Sequence, residues 1–142
     1  YWDEIRATDG WDFEGRSLSP WLGYGAVSAS LSSVAAGGAQ SLAASGSGGM
    51  YQDLSGLEAG RVYRVSARVR SGSGTSAKAL LWVHDTTGAS SALSAWQTPS
   101  STGWEDRTAD FVASGNGRLR IHLHSDGGPG TLYWDDIKVA RK

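Results

Sequence analysis

The sequence predicts an all-β fold, an antiparallel β-sandwich formed as one domain over residues 1–142. Three observations carry that expectation. Runs of alternating apolar and polar residues recur along the chain, and successive side chains of a strand point to opposite faces. Short breakers rich in Gly and Ser separate the runs, within a total of 20 Gly. Apolar residues make up 39% of the chain, with seven Trp and five Tyr but only two Phe, which suits one core with flat aromatic surface to spare. A barrel of the same composition is the alternative.

In order, VSASLSS (27–33) is the first such run, and AAGG ends it. QSLAAS (40–45) and MYQDL (50–54) follow, split by SGSGG. VYRVSARVR (62–70) sits between EAG and SGSG; its apolar set is Tyr63, Val65, Ala67 and Val69, with Arg64, Ser66, Arg68 and Arg70 opposite. AKALLWVHD (77–85) is apolar on both faces, so a core face of Ala79, Leu81 and Val83 sends Leu80, Trp82 and His84 outward. SSALSAW (90–96) is the one stretch that suggests a helical turn. DRTADFVAS (106–114) precedes SGNG, and RLRIHLHS (118–125) places Leu119, Ile121 and Leu123 against Arg118, Arg120, His122 and His124. TLYWDDIKVA (131–140) closes the series after DGGPG.

The totals exclude several classes. A net charge of −1 provides no field for nucleic acid or an acidic membrane, so neither is expected as a partner. The chain has no Cys, hence no disulfide and no thiolate metal site. No run approaches the ~18 apolar residues of a membrane span. The start, YWDEIRATDG, lacks a signal peptide's basic and apolar segments. Since it opens on Tyr, we expect a piece of a longer protein whose export signal lies elsewhere.

The last strand carries two adjacent acids. Strict alternation puts Tyr133, Asp135, Ile137 and Val139 on the core face, with Trp134 and Asp136 opposite. A buried, unpaired carboxylate costs several kcal/mol, so Asp135 needs a cation or hydrogen-bond donors.

Five stretches together resemble a known family. These are GWDFEG (10–15), AAGGAQSLAAS (35–45), YQDLSGLEAGRVYRVSARVRSGSG (51–74), GWEDRTADFVAS (103–114) and LYWDDIKVA (132–140). In this order they resemble the β-jelly-roll carbohydrate-binding modules of families 4, 9, 16 and 22, which are appended to secreted glycoside hydrolases. The segment around Asp12 departs from the family's Asn-Gly-Gly-Phe-Glu. The resemblance implies a jelly roll with strands 40–45, 62–70, 77–85 and 118–125 in one sheet, and 27–33, 50–54, 106–114 and 131–140 in the other.

It also implies a structural Ca²⁺ tying the two chain ends. Its ligands would fall on Glu14, Asp135 and the backbone oxygen near Ala39, with Asp12 and Asp136 as further ligands. The competing reading has Asp135 and Asp136 accepting backbone hydrogen bonds.

The implied function is non-catalytic binding of a polysaccharide or oligosaccharide, holding a covalently linked, secreted, glycan-degrading enzyme on its polymer. Sugars present CH-rich faces and a hydroxyl rim, which aromatics and planar polar groups recognise. With the sheets grouped as implied, Trp82, His84, Arg64, Arg68, Arg120 and His122 project from one concave face. Trp96 and Gln97, in the long segment 86–103, fold over its edge, and Trp21 forms a wall. Trp104 and Tyr63 are assigned to the core, Trp2 and Trp11 to the ends of the sandwich. Arginines on a strand face are often only solvated or paired with acids. Their excess here admits an acidic uronate polymer alongside neutral β-glucans, mannans or xylans.

Two rival classes fit the same residues. A protein-interaction or adhesion domain suits the same sandwich. His84, His122 and His124 on one sheet suggest a catalytic zinc, although Arg120 alongside repels a cation. No paired carboxylates on the outward faces suit glycoside hydrolysis.

Overall fold

The computed structural model describes residues 4–5, 13, 18, 21–87 and 91–142, residues 4–5 in backbone alone. Glu14, Asp12, Trp2 and Trp11 lie outside the described residues. The strands are β1 (Glu4–Ile5), β2 (Leu22–Gly25), β3 (Ser28–Ser32), β4 (Ser41–Ser45), β5 (Ser47–Leu54) and β6 (Val62–Ser71). They continue with β7 (Ala79–His84), β8 (Ser91–Leu93), β9 (Glu105–Val112), β10 (Leu119–Asp126) and β11 (Leu132–Arg141). All eight predicted runs are strands, and all pairings are antiparallel. The architecture is a two-sheet β-sandwich of jelly-roll type.

One sheet has the order β3-β4-β11-β6-β9, with β1 also on β11; the other runs β2-β5-β10-β7-β8. This overturns the expected grouping. Residues 40–45 and 62–70 join the sheet of the last strand, and 50–54 joins 77–85 and 118–125. The face assignments within 62–70, 77–85 and 118–125 are independent of the grouping, and they hold. Tyr63, Val65, Ala67 and Val69 of β6 face Leu81, Val83, Leu119, Ile121 and Leu123 across one core. That apolar burial, at ~25 cal/mol per Å², is the main force holding the sheets together.

Three local findings depart from the sequence reading. Residues 91–93 form a strand, not a helical turn, because Trp82↔Leu93 and His84↔Ser91 pair them to β7. Sequence patterning missed β2, whose two glycines among four residues mask it; pairing Leu22↔Tyr51 and Tyr24↔Gly49 makes it a strand. Finally, β11 carries a bulge: its register against β6 shifts between Asp135 and Lys138, with Asp136 at φ 48°.

The inserted residue resets the alternation. Leu132 and Trp134 face the core before the bulge, Ile137 and Val139 after it. Trp134 is therefore a core residue at 1% exposure, not outward, and Tyr133 does not share the face of Ile137. Trp21 is likewise core, at 3% exposure and with its ring 5.8 Å from Phe13, so it builds no cleft wall. Tyr63 is buried as expected, whereas Trp104 is half-buried.

Candidate functional site

The outer face of the five-stranded sheet brings together rings that lie far apart in sequence. The register aligns Leu22, Tyr51, His122, Trp82 and Leu93 in one row across β2, β5, β10, β7 and β8. Neighbouring strands lie ~4.8 Å apart, so the row spans ~19 Å. One side of it is a polar row of Asp53, Arg120, His84 and Ser91. The other holds Tyr24, Gly49, His124 and Leu80.

At the centre, His84 Nε2 and His122 Nε2 are 2.7 Å apart, with ring planes inclined by only 13°. A hydrogen bond along that line puts the imidazoles end to end in nearly one plane. The Trp82 indole lies flat over both, at 4.5 Å from His84 and 4.4 Å from His122. Its Nε1–H donates to Ser91 Oγ at 3.1 Å, which fixes the ring's rotation. The result is an indole platform backed by two imidazoles.

The proton positions follow from the partners. Thr86 N–H donates to His84 Nδ1 at 3.1 Å, so neutral His84 carries its proton on Nε2 and donates to His122 Nε2. The His122 proton then sits on Nδ1, a buried atom with no hydrogen-bond partner among the described residues. Although His122 points outward, it is only 7% exposed, because Trp82, Tyr24 and Tyr51 surround it. Burial chiefly, then repulsion from His84 and Arg120, holds its pKa down to about 3. His84 and His124 are also lowered, burial being the first cause in each. All three imidazoles are thus neutral near pH 7.

Gly49 explains the other side of the cluster. Without a side chain there, Tyr24 on β2 reaches across β5 to stack on His124 of β10, with centroids 5.5 Å apart. The Tyr24 hydroxyl pairs with His124 Nδ1, and burial pushes its phenol pKa up. Trp96, at 43% exposure, meets His124 edge-on at 5.3 Å. Exposed Gln97 is held beside β7 by a backbone bridge to Ala79.

Arg120 makes a forked contact with Asp53, at 2.7 and 3.0 Å, and its guanidinium lies 4.3 Å over the Tyr51 ring. Trp82, His84, Arg120 and His122 therefore share the outer face predicted for them, and Trp96 and Gln97 lie beside it in the segment expected at its edge. Arg64 and Arg68 do not. They lie on the opposite outer face of the sandwich, opposite Asp110 and Asp106 of β9. The strand assignment put them outward correctly, but their strand pairs with β11 and β9. Sequence reasoning missed Tyr24 and Tyr51; Tyr51, just outside the breaker SGSGG in an alternating run, was the discoverable one.

The zinc arrangement does not form. The facing His nitrogens bond to each other, His124 Nδ1 bonds to Tyr24, and Thr86 N–H occupies His84 Nδ1. Among the described residues no group of three His, Asp or Glu side chains converges to hold a metal.

Asp135 is fully buried at the bulge of β11. Its Oδ2 accepts from Ala36 N–H at 2.9 Å and Gly37 N–H at 3.2 Å, and its Oδ1 from Asp136 N–H at 2.8 Å. Even so, burial raises its pKa to about 6, so backbone donors compensate the carboxylate only in part. The loop carrying Ala39 also packs on Asp136, since a Cβ at Gly37 would lie 3.3 Å from Asp136 Oδ2. Beyond the bulge, β1 pairs with β11 at Ile5↔Val139, which sets the start of the chain beside its end.

Against known proteins, the model of the carbohydrate binding domain family, CBM_4_9, matches residues 11–129. No curated protein matches. Among solved structures, the CBM22-1 xylan-binding domain of Paenibacillus barcinonensis Xyn10C is 19% identical, with TM-score 0.74 over 92% of this chain and 90% of that one. TmCBM61 in complex with β-1,4-galactotriose is 24% identical, with TM-score 0.74 over 95% and 97%. The CBM22-1-GH10 modules of Clostridium thermocellum xylanase 10B, complexed with xylohexaose, are 18% identical, with TM-score 0.63 over 86% of this chain and 26% of that one.

Proposed function

The chain belongs to the carbohydrate binding domain family, CBM_4_9, and from that premise we propose that its five-stranded sheet holds a β-linked polysaccharide across the strands, without catalysing a reaction. The observation that carries this reading is the Trp82 indole, laid flat over the hydrogen-bonded His84–His122 pair in a row crossing all five strands. A pyranose ring face stacks on such a platform, while Arg120, Asp53 and Gln97 meet hydroxyls at its margins. Trp96 closes one side. Xylan and β-1,4-galactotriose, named for the similar structures, point to the first ligands to try.

The domain's role would be to hold a covalently linked, secreted glycan-degrading enzyme near its polymer, raising local concentration. The GH10 partner in the xylanase 10B structure supports that arrangement. A structural Ca²⁺ completes the proposal. Asp135, Asp136 and the carbonyl near Ala39 would hold it, joined by Glu14 and Asp12 from outside the described residues. The incompletely compensated carboxylate of Asp135 favours it, because an ion supplies the missing charge. It would cross-link the chain ends that β1 and β11 bring together.

Titration with soluble xylan, galactan, mannan and β-glucan, followed by Trp fluorescence and affinity electrophoresis, tests the binding reading. We expect a blue shift and retardation with at least one polymer, both lost in Trp82→Ala. A full panel without response in either assay would overturn it.

A further inference from the structure

At one end of the recognition face a pocket of about 340 Å³ opens between β5, β7 and β10, lined by Asp53, Leu54, Ser55, Thr86, Arg118, Leu119 and Arg120. Its charge is unbalanced. Arg120 is engaged by Asp53 in the forked pair, whereas Arg118 has no side-chain hydrogen bond or ion pair among the described residues. Two guanidiniums thus face one carboxylate. The same alternation that sends Arg120 and His122 outward places Arg118 on that face, immediately before Leu119, whose side chain is buried.

The pocket is tied to the aromatic platform through the backbone. Thr86, on its wall, sits at φ 71°, a left-handed conformation that is costly for a β-branched residue. The donation of Thr86 N–H to His84 Nδ1 accompanies that conformation, and His84 lies directly under Trp82. Two residues along a strand span ~7 Å, so the Arg118 level lies ~14 Å from the Trp82 row. That separation suits a ligand that stacks on Trp82 and extends a substituent along the strands.

Resting on the glycan-binding reading, we propose that this pocket receives a carboxylate-bearing sugar, a uronic acid unit of the bound polysaccharide, through a forked contact from Arg118. The planar carboxylate matches the guanidinium fork, and Ser55 and Thr86 line the same space. A neutral sugar leaves the Arg118 charge unmatched. The Arg118 side chain is exposed, so its removal does not disturb the core.

NMR titration of the ¹⁵N-labelled chain with a methyl β-xylotrioside bearing one glucuronic acid branch (the glucuronide), the unbranched methyl β-xylotrioside and acetate tests this, read at the Trp82 indole N–H and the Arg118 Nε–H. Both glycosides should shift the indole, and only the glucuronide should shift Arg118, binding on the order of tenfold more tightly. Arg118→Ala should erase the preference and keep the indole shift; Arg118→Lys should restore part of it. Equal affinity for the two glycosides, with the indole still responding, would overturn the uronate assignment and leave the platform standing. The assignment falls equally if acetate alone moves Arg118 as far as the glucuronide does. If neither glycoside moves the indole, the glycan-binding reading falls together with the proposal.

Discussion

The two outer faces of the sandwich are built from the same alternating pattern and differ in what their polar groups do. On the six-stranded sheet, Arg64 binds Asp110 at 2.8 Å, Lys142 joins the same carboxylate, and Arg68 lies 3.6 Å from Asp106. These are solvated cross-strand ion pairs, the kind that adds little to stability. On the five-stranded sheet the outward polar residues include, beside the forked Asp53–Arg120 pair, three imidazoles held neutral, two of them covered by an indole. A recognition surface here comes from desolvating polar groups beneath aromatic ones, not from the number of charges.

The largest contrast lies in binding. Trp82→Ala should weaken polysaccharide affinity by roughly a hundredfold, the scale of an interface hot spot. Arg64→Ala, on the opposite face, should leave it unchanged. Isothermal titration on both variants reads the difference, and equal losses would erase the distinction between the faces.

Next in size is the link between chain ends. Asp135→Ala removes an acceptor of three backbone donors and should cost about 2–3 kcal/mol, roughly 5–10 °C in melting temperature for a domain of this length. EDTA should lower the melting temperature of the parent chain and leave that of Asp135→Ala where it is. A parent chain indifferent to EDTA would count against calcium while leaving the hydrogen-bond loss intact.

The faces should also separate by pH. His122, with a pKa near 3, stays unprotonated in the folded state while an unfolded His takes up a proton below about 6.5. The stability it contributes is complete above about pH 6.5 and is lost as pH falls toward 3. Arg120 and His84 oppose its protonation and Asp53 favours it. Asp110, held below the ordinary carboxylate range by Arg64 and Lys142, loses its contribution only as pH falls below about 4. Melting curves should therefore show decline beginning near pH 6.5, which His122→Gln should reduce but not abolish. His84 and His124 are lowered in the same direction, while Asp135, raised to about 6, works against them.

The smallest effect expected is that of Arg68→Ala. Its long, exposed contact predicts a melting temperature within about 2 °C of the parent chain and no change in binding. A larger drop would mean the charged face carries structural weight that its geometry does not suggest.

Strands with strict period two were legible in the sequence because each residue's face depends only on local alternation. That is why Leu119, Ile121 and Leu123 were assigned inward and His122 outward without knowledge of any partner. Alternation fails where one extra residue enters a ladder. The bulge at Asp135–Asp136 reversed the phase for Trp134, and nothing local in LYWDDIKVA announces it. Short segments fared similarly, for Leu22–Gly25 and Ser91–Leu93 are strands only because β5 and β7 offer them an edge.

The sequence by itself determined the all-β class, the core faces of the strands that keep strict alternation and the outward direction of Trp82, His84 and His122. These depend on backbone geometry and on the cost of exposing apolar surface, which act residue by residue. Only the tertiary structure decided which strands are neighbours. Pairing removed Arg64 and Arg68 from the recognition face, brought Tyr24 and Tyr51 to it, and set two histidines end to end under one indole. Hydrogen-bonded edges are alike in every strand, so their choice of partner is made by the chain as a whole.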